Sequence, residues 1–88
     1  MKLKYEFETV DLGDDYVSVP IGERSNTFHG VIKLNKEGME IFNLLKTDIS
    51  EESIVNILAS KYENKRETIS AYVSQAIKRL REIGVIEE

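Results

Sequence analysis

The chain has 88 residues, a formal net charge of −4, one histidine and no cysteine. That excludes disulfide staples and thiolate metal sites, and a lone His29 cannot build a zinc site without carboxylates. The length suits a single domain spanning residues 1–88, and 41% hydrophobic residues supply one small core rather than a disordered chain.

The first ten residues, MKLKYEFETV, alternate charged and apolar side chains and contain no signal-peptide core. No apolar run approaches the ~20 residues that cross a bilayer. We therefore expect a cytoplasmic protein without a membrane partner. Residues 5–12 read as a first strand with Tyr5, Phe7, Val10 and Leu12 as apolar members, and Gly13-Asp14-Asp15 reads as a turn. A second strand covers Tyr16 to Ile21, where Val17, Val19 and Ile21 share one face. Pro20 cannot donate to a ladder, so it marks an edge or a strand end. After a polar loop, Phe28 to Leu34 reads as the third strand of an antiparallel meander.

Asn35 then caps a first helix running to about Leu45, with Met39, Ile41, Phe42, Leu44 and Leu45 as its apolar stripe. Gly38 inside it costs ~1 kcal/mol relative to Ala, which leaves two readings: a close backbone neighbour, or a tolerated surface glycine. A second helix starts at Ser50, with Glu51 and Glu52 at its positive end and Ile49 placed to staple onto Ile54. Its expected buried face is Ile54, Ile57, Leu58 and Tyr62. The third helix opens on Asn64-Lys65-Arg66-Glu67, a capping-box spacing, and carries Ile69, Val73, Ala76, Ile77, Leu80 and Ile83 at intervals of three and four. Gly84 suits the position after its C-terminus, and Val85-Ile86 forms an apolar tail that should fold back onto the domain.

Catalytic chemistry is nearly absent. The carboxylate pairs Asp14-Asp15, Glu51-Glu52 and Glu87-Glu88 are consecutive and sit at a turn, a helix start and a tail, where they need no acid–base role. The five glycines form no phosphate-binding loop, and no serine has a histidine at a motif spacing. We expect no enzyme activity, no cofactor and no metal. Two features stay open as binding candidates. An unpaired edge on the third strand could accept an extended peptide, unless another strand covers it. The third helix presents Lys78, Arg79 and Arg81 together with Tyr72, unless this is an ordinary solvated face. Lys65 to Ile83 holds five basic residues against two acids, a surplus of +3, so the remaining chain carries −7. Such a balance disfavours nucleic acid and suits a short acidic partner.

The segments YVSVPIGE, HGVIKLNKEGMEIFNLL, SIVNILASKYE and LREIGVIEE, in this order and spacing, resemble the PqqD family over about Phe7 to Glu88. The most specific part is Val31 to Phe42, followed by Leu80 to Glu88. The resemblance implies an α+β, winged-helix-like domain: a three-stranded antiparallel sheet followed by three helices. It also implies a peptide chaperone, a recognition element that binds the leader of a ribosomally made precursor peptide and presents it to a modifying enzyme, with radical S-adenosylmethionine enzymes among the candidates. The leader would add as a strand at Val31, Ile32 and Lys33 and pack on Tyr72, Gln75, Ala76, Arg79 and Leu80. A homodimer is compatible with this reading. The alternative is a winged-helix DNA-binding or transcription-associated domain of the same architecture. The chain departs from the family at Tyr72, where relatives often carry an acid, at Ala76, where they carry a bulky apolar residue, and at Phe42, where they commonly carry Trp.

Overall fold

The structure, a computed structural model, describes residues 1–22 and 30–88. Its main sheet is built from β2 (Glu6–Asp11), β3 (Tyr16–Ile21) and β4 (Ile32–Leu34), all antiparallel in the order β2-β3-β4. Before it comes β1 (Lys2–Leu3), and after it come α1 (Lys36–Leu44), α2 (Glu51–Lys61), α3 (Arg66–Ile83) and β5 (Ile86–Glu87). The expected α+β arrangement of three antiparallel strands followed by three helices is present.

The turn between β2 and β3 follows from its residues. Asp11 Oδ1 accepts from the Gly13 amide at 2.8 Å, and Gly13 takes a φ of +98°, which costs glycine little. The hairpin pairs Phe7 with Pro20, Thr9 with Ser18 and Asp11 with Tyr16. These positions face the helices: Ser18 and Pro20 are buried, and Phe7 packs edge-on against Phe42 at 5.0 Å between ring centroids. Ser18 avoids an unsatisfied hydroxyl by hydrogen bonding to Thr9 at 2.8 Å.

Val17, Val19 and Ile21 do share a face, as their alternation requires, but that face looks away from the helices. Val19 and Ile21 are exposed, as is Val10 on β2. The aromatic rings of Phe7 and Tyr16 lie on the other side, packed against the core, and in a strand of period two a single register cannot turn both sets inward. Pro20 lies on the central strand rather than an edge strand. It is tolerated because β4 pairs only with Tyr16 to Ser18, leaving Pro20 near the strand end beyond that ladder.

The third strand is shorter than Phe28 to Leu34. Phe28 and His29 fall outside the described residues, and Gly30 and Val31 precede β4 without joining it. Both of its inward residues, Ile32 and Leu34, are buried.

Asn35 and Ser50 cap α1 and α2 as expected, accepting from the amides of Gly38 at 2.8 Å and Ser53 at 3.1 Å. The expected capping box on α3 does not form: Lys65 occupies the N-cap position, with no side-chain cap bond. On α2, Ile57 is exposed and Val55 takes its place in the core beside Ile54 and Leu58. The α3 stripe Ile69, Val73, Ile77 and Leu80 is buried against the other two helices, with Ala76 and Ile83 at its margin. Gly84 ends α3 with a φ of +91°.

The apolar tail does pack back, and it does so as a strand. Val85 and Ile86 are buried, and β5 pairs with β1 through Lys2–Glu87 and Leu3–Ile86. This small second sheet was not expected, because two residues are too few to show a period. Its backbone is tied further in: the Leu3 amide donates to Leu45 at 2.9 Å, and the Ile49 amide donates to Met1 at 2.9 Å. The Met1 ammonium pairs with Asp48 at 2.8 Å and holds that carboxyl below its usual range.

Candidate peptide-binding groove

Strand β4 is the last in its sheet, and among the described residues its second edge has no strand partner. Across from that edge runs α3. The two enclose a groove of about 540 Å³, lined on the strand side by Ile32, Lys33, Leu34 and Asn35 and on the helix side by Tyr72, Gln75, Ala76, Arg79 and Leu80. Asp15 and Gly38 close it at the margins.

The helix residues follow from spacing. Positions 72, 76, 79 and 80 recur at four, three and one, so they lie along one side of α3, adjacent to the buried stripe at 69, 73, 77 and 80. The short side chain of Ala76 leaves room in the middle of this wall. Arg79 lines the groove and makes no hydrogen bond or ion pair with any described residue. Lys33 is paired with Asp15 at 3.3 Å.

Of the eight residues expected at the site, seven line this groove. Val31 does not: it is 61% exposed and lies before β4 begins. Of the three basic residues expected on the face of α3, only Arg79 lines it. Lys78 lies outside the lining, and the Arg81 guanidinium is bound by Glu88 at 2.7 Å, which raises its pKa further.

Sequence reasoning missed Leu34 and Asn35 as site residues. A signal for Asn35 was available, since the capping residue after an edge strand must sit where strand and helix meet. Its Oδ1 accepts the Gly38 amide and also the Tyr72 hydroxyl, at 3.2 Å, so the cap of α1 is bonded to the groove wall on α3. Gly38 also gains an explanation. It is buried, and a Cβ there would sit 3.0 Å from Asn35 Oδ1 and 3.4 Å from Leu34 Cδ2. The close neighbours are therefore side chains, not a second backbone.

Past Tyr72 a second, smaller cavity of about 230 Å³ opens between the three helices, lined by Glu37, Glu40, Leu58, Tyr62, Asn64, Thr68, Ile69 and Tyr72. The Tyr62 hydroxyl donates a short hydrogen bond to Glu40, whose other oxygen is 3.4 Å from Lys61 Nζ. That bond, followed by burial and the charges of Glu40 and Glu37, pushes the Tyr62 phenol up to about 12. Among the described residues, no group of three or more His, Asp or Glu side chains could hold a metal ion, and no helix is long and apolar enough to cross a membrane.

A family model described as coenzyme PQQ synthesis protein D matches residues 16–86. The chain belongs to the PqqD family. The match spans both β3 and β4 and all three helices, so every element that builds the groove lies inside it. No curated protein matches the chain at a significant level. Among solved structures, one described as "TbiB1 in Complex with the TbiA(beta) Leader Peptide" is similar with a TM-score of 0.76 and 21% sequence identity, covering 99% of this chain and 95% of that one. At that identity the likeness establishes a shared fold.

Proposed function

We propose that this PqqD-family chain is a single non-catalytic domain that binds the leader segment of a ribosomally made precursor peptide and presents the peptide to a modifying enzyme. The observation that carries this reading is the edge of β4 that has no strand partner among the described residues and faces α3 across an open groove. An extended peptide that joins β4 antiparallel gains main-chain hydrogen bonds from any sequence, and side-chain spaces along α3 decide which sequence is held. The leader peptide bound to TbiB1, a protein of the same fold, supports this choice of guest.

The binding residues are Ile32, Lys33 and Leu34 on the strand and Tyr72, Gln75, Ala76, Arg79 and Leu80 on the helix. Holding a leader in this way raises the effective concentration of the rest of the precursor at an enzyme docked on the same domain, without any catalytic group in the groove. A radical S-adenosylmethionine enzyme is one such partner. The DNA-binding alternative gains nothing from the groove, whose lining holds two cations, Arg79 and the Asp15-paired Lys33, rather than a row of them for phosphates.

The test is an amide-resonance titration with the leader of a precursor peptide encoded beside this chain. Resonances of Ile32 to Leu34, and those along α3 from Tyr72 to Leu80, shift together and saturate at one stoichiometry. A titration that moves neither set removes the proposal.

A further inference from the structure

The small cavity adjoins the groove, and Tyr72 is the wall the two share. Its floor is apolar, formed by Leu58 and Ile69 of the core, and its sides are the rings of Tyr62 and Tyr72. Its charge is acidic. Glu40 is already satisfied by Lys61 and the Tyr62 hydroxyl, whereas Glu37 makes no hydrogen bond or ion pair with any described residue. An acid in the first turn of α1 is favoured by the helix dipole alone. The dipole does not account for an apolar, two-tyrosine recess beside that acid. The Tyr62 ring already carries Lys61 Nζ at 5.7 Å from its centroid, so such a recess takes a side chain with an apolar stem and a cationic head, the stem against Leu58 and Ile69 and the head at the Tyr72 ring and the Glu37 carboxylate.

We infer that this cavity is a second specificity subsite for the same guest, and that it receives a lysine or arginine of the leader peptide. The inference rests on the groove reading given above. It also fixes the order of charges on the guest. Strand β4 runs towards Asn35, and Asn35 is bonded to Tyr72, so the end of β4 points at the cavity. A peptide added antiparallel, in continuation of the sheet, therefore brings its N-terminal half to the cavity and its C-terminal half to Arg79. From Thr68 to Arg79 the helix rises about 16 Å at ~1.5 Å per residue. An extended chain covers that in about five residues at ~3.3 Å each. The guest thus carries a basic residue followed, about five positions later, by an acidic one facing Arg79.

The experiment uses a positional-scanning library of capped, extended peptides, in which each position is fixed in turn and the others are randomised. Affinity is read by fluorescence polarisation and the footprint by amide shifts. We expect selection of Lys or Arg at one position, selection of Asp or Glu about five residues C-terminal to it, and shifts at Thr68 and Tyr62 only with peptides carrying the base. Glu37→Lys weakens the best peptide by about threefold to tenfold, and changing the peptide's base to Glu restores the loss. Glu37→Gln, which keeps the side-chain shape, gives a smaller loss in the same direction and guards against a folding defect. Selection of an apolar residue at that position, no selection, or a preference unchanged in both variants overturns the subsite while shifts at Ile32 to Leu34 keep the groove reading intact. If no library member moves Ile32 to Leu34, the groove reading fails and this inference fails with it.

Discussion

Asn35 does three things at once, and its neighbours are chosen around them. It ends β4, caps α1 through the Gly38 amide, and accepts the Tyr72 hydroxyl from across the groove. The cap is worth ~1 kcal/mol. Gly38 sits at a helical position where alanine is ordinarily better by ~1 kcal/mol. Here the alanine Cβ would press on Asn35 Oδ1 at 3.0 Å, so the gain in propensity is spent on displacing the cap. Gly38→Ala alone is therefore expected to leave stability unchanged or lower it. In the Asn35→Ala background, with the cap already removed, the same substitution raises stability by up to about 1 kcal/mol. A double-mutant cycle in urea measures the difference; additive effects would mean that Gly38 is not there for the cap.

Helix α3 shows how one element divides its sides between stability and binding. Ile77 has no exposed surface, whereas the adjacent Ala76 is half-buried and opens onto the groove. Ile77→Ala leaves a cavity and is expected to cost about 2–4 kcal/mol in a denaturant melt. Ala76→Phe adds bulk to open space, so the melt should move by less than about 1 kcal/mol while peptide affinity falls at least about tenfold. If Ala76→Phe binds as the parent does, the guest does not run along this wall. The periodicity of α3 was readable from sequence because eighteen residues give five turns of pattern. The same reasoning gave the Asn35 and Ser50 caps, the Gly13 turn and the buried tail. It gave less where elements are short. With six residues in β3, alternation reveals two faces but not which of them is inward, and Val17, Val19 and Ile21 are on the outer one. Two-residue strands such as β1 and β5 carry no period, so the sheet that joins the chain's first and last described segments left no trace. Seven of the eight residues expected through resemblance to the PqqD family line the groove, and the eighth, Val31, precedes β4, which begins at Ile32.

At the scale of the whole molecule, charge works against the proposed guest and must be overcome locally. The net charge of −4 repels an acidic peptide at long range, and the groove opposes this with the guanidinium of Arg79, which has no partner among the described residues, because Lys33 is compensated by Asp15 and Arg81 by Glu88. The two effects have different reach. At about 0.01 M salt the screening length is ~30 Å, so a guest feels the whole acidic surface; at about 0.15 M it is ~8 Å, and only groups within the groove matter. Contact with Arg79 is short-ranged and survives better. An acidic leader peptide is therefore expected to bind the parent chain no more weakly, and up to a few-fold more tightly, as salt rises over this range. Binding to a row of phosphate-neutralising cations does the opposite and weakens steeply with salt. Arg79→Glu changes the local sign: affinity should fall about threefold to tenfold at the higher salt, where the distant charges are silent, with an unchanged melting temperature because the side chain is exposed. Polarisation titrations of parent and variant at the two salt concentrations decide the matter. A parent affinity that collapses with salt would place the guest on cations outside the groove. An Arg79→Glu variant that binds like the parent at the higher salt would remove Arg79 as a source of affinity.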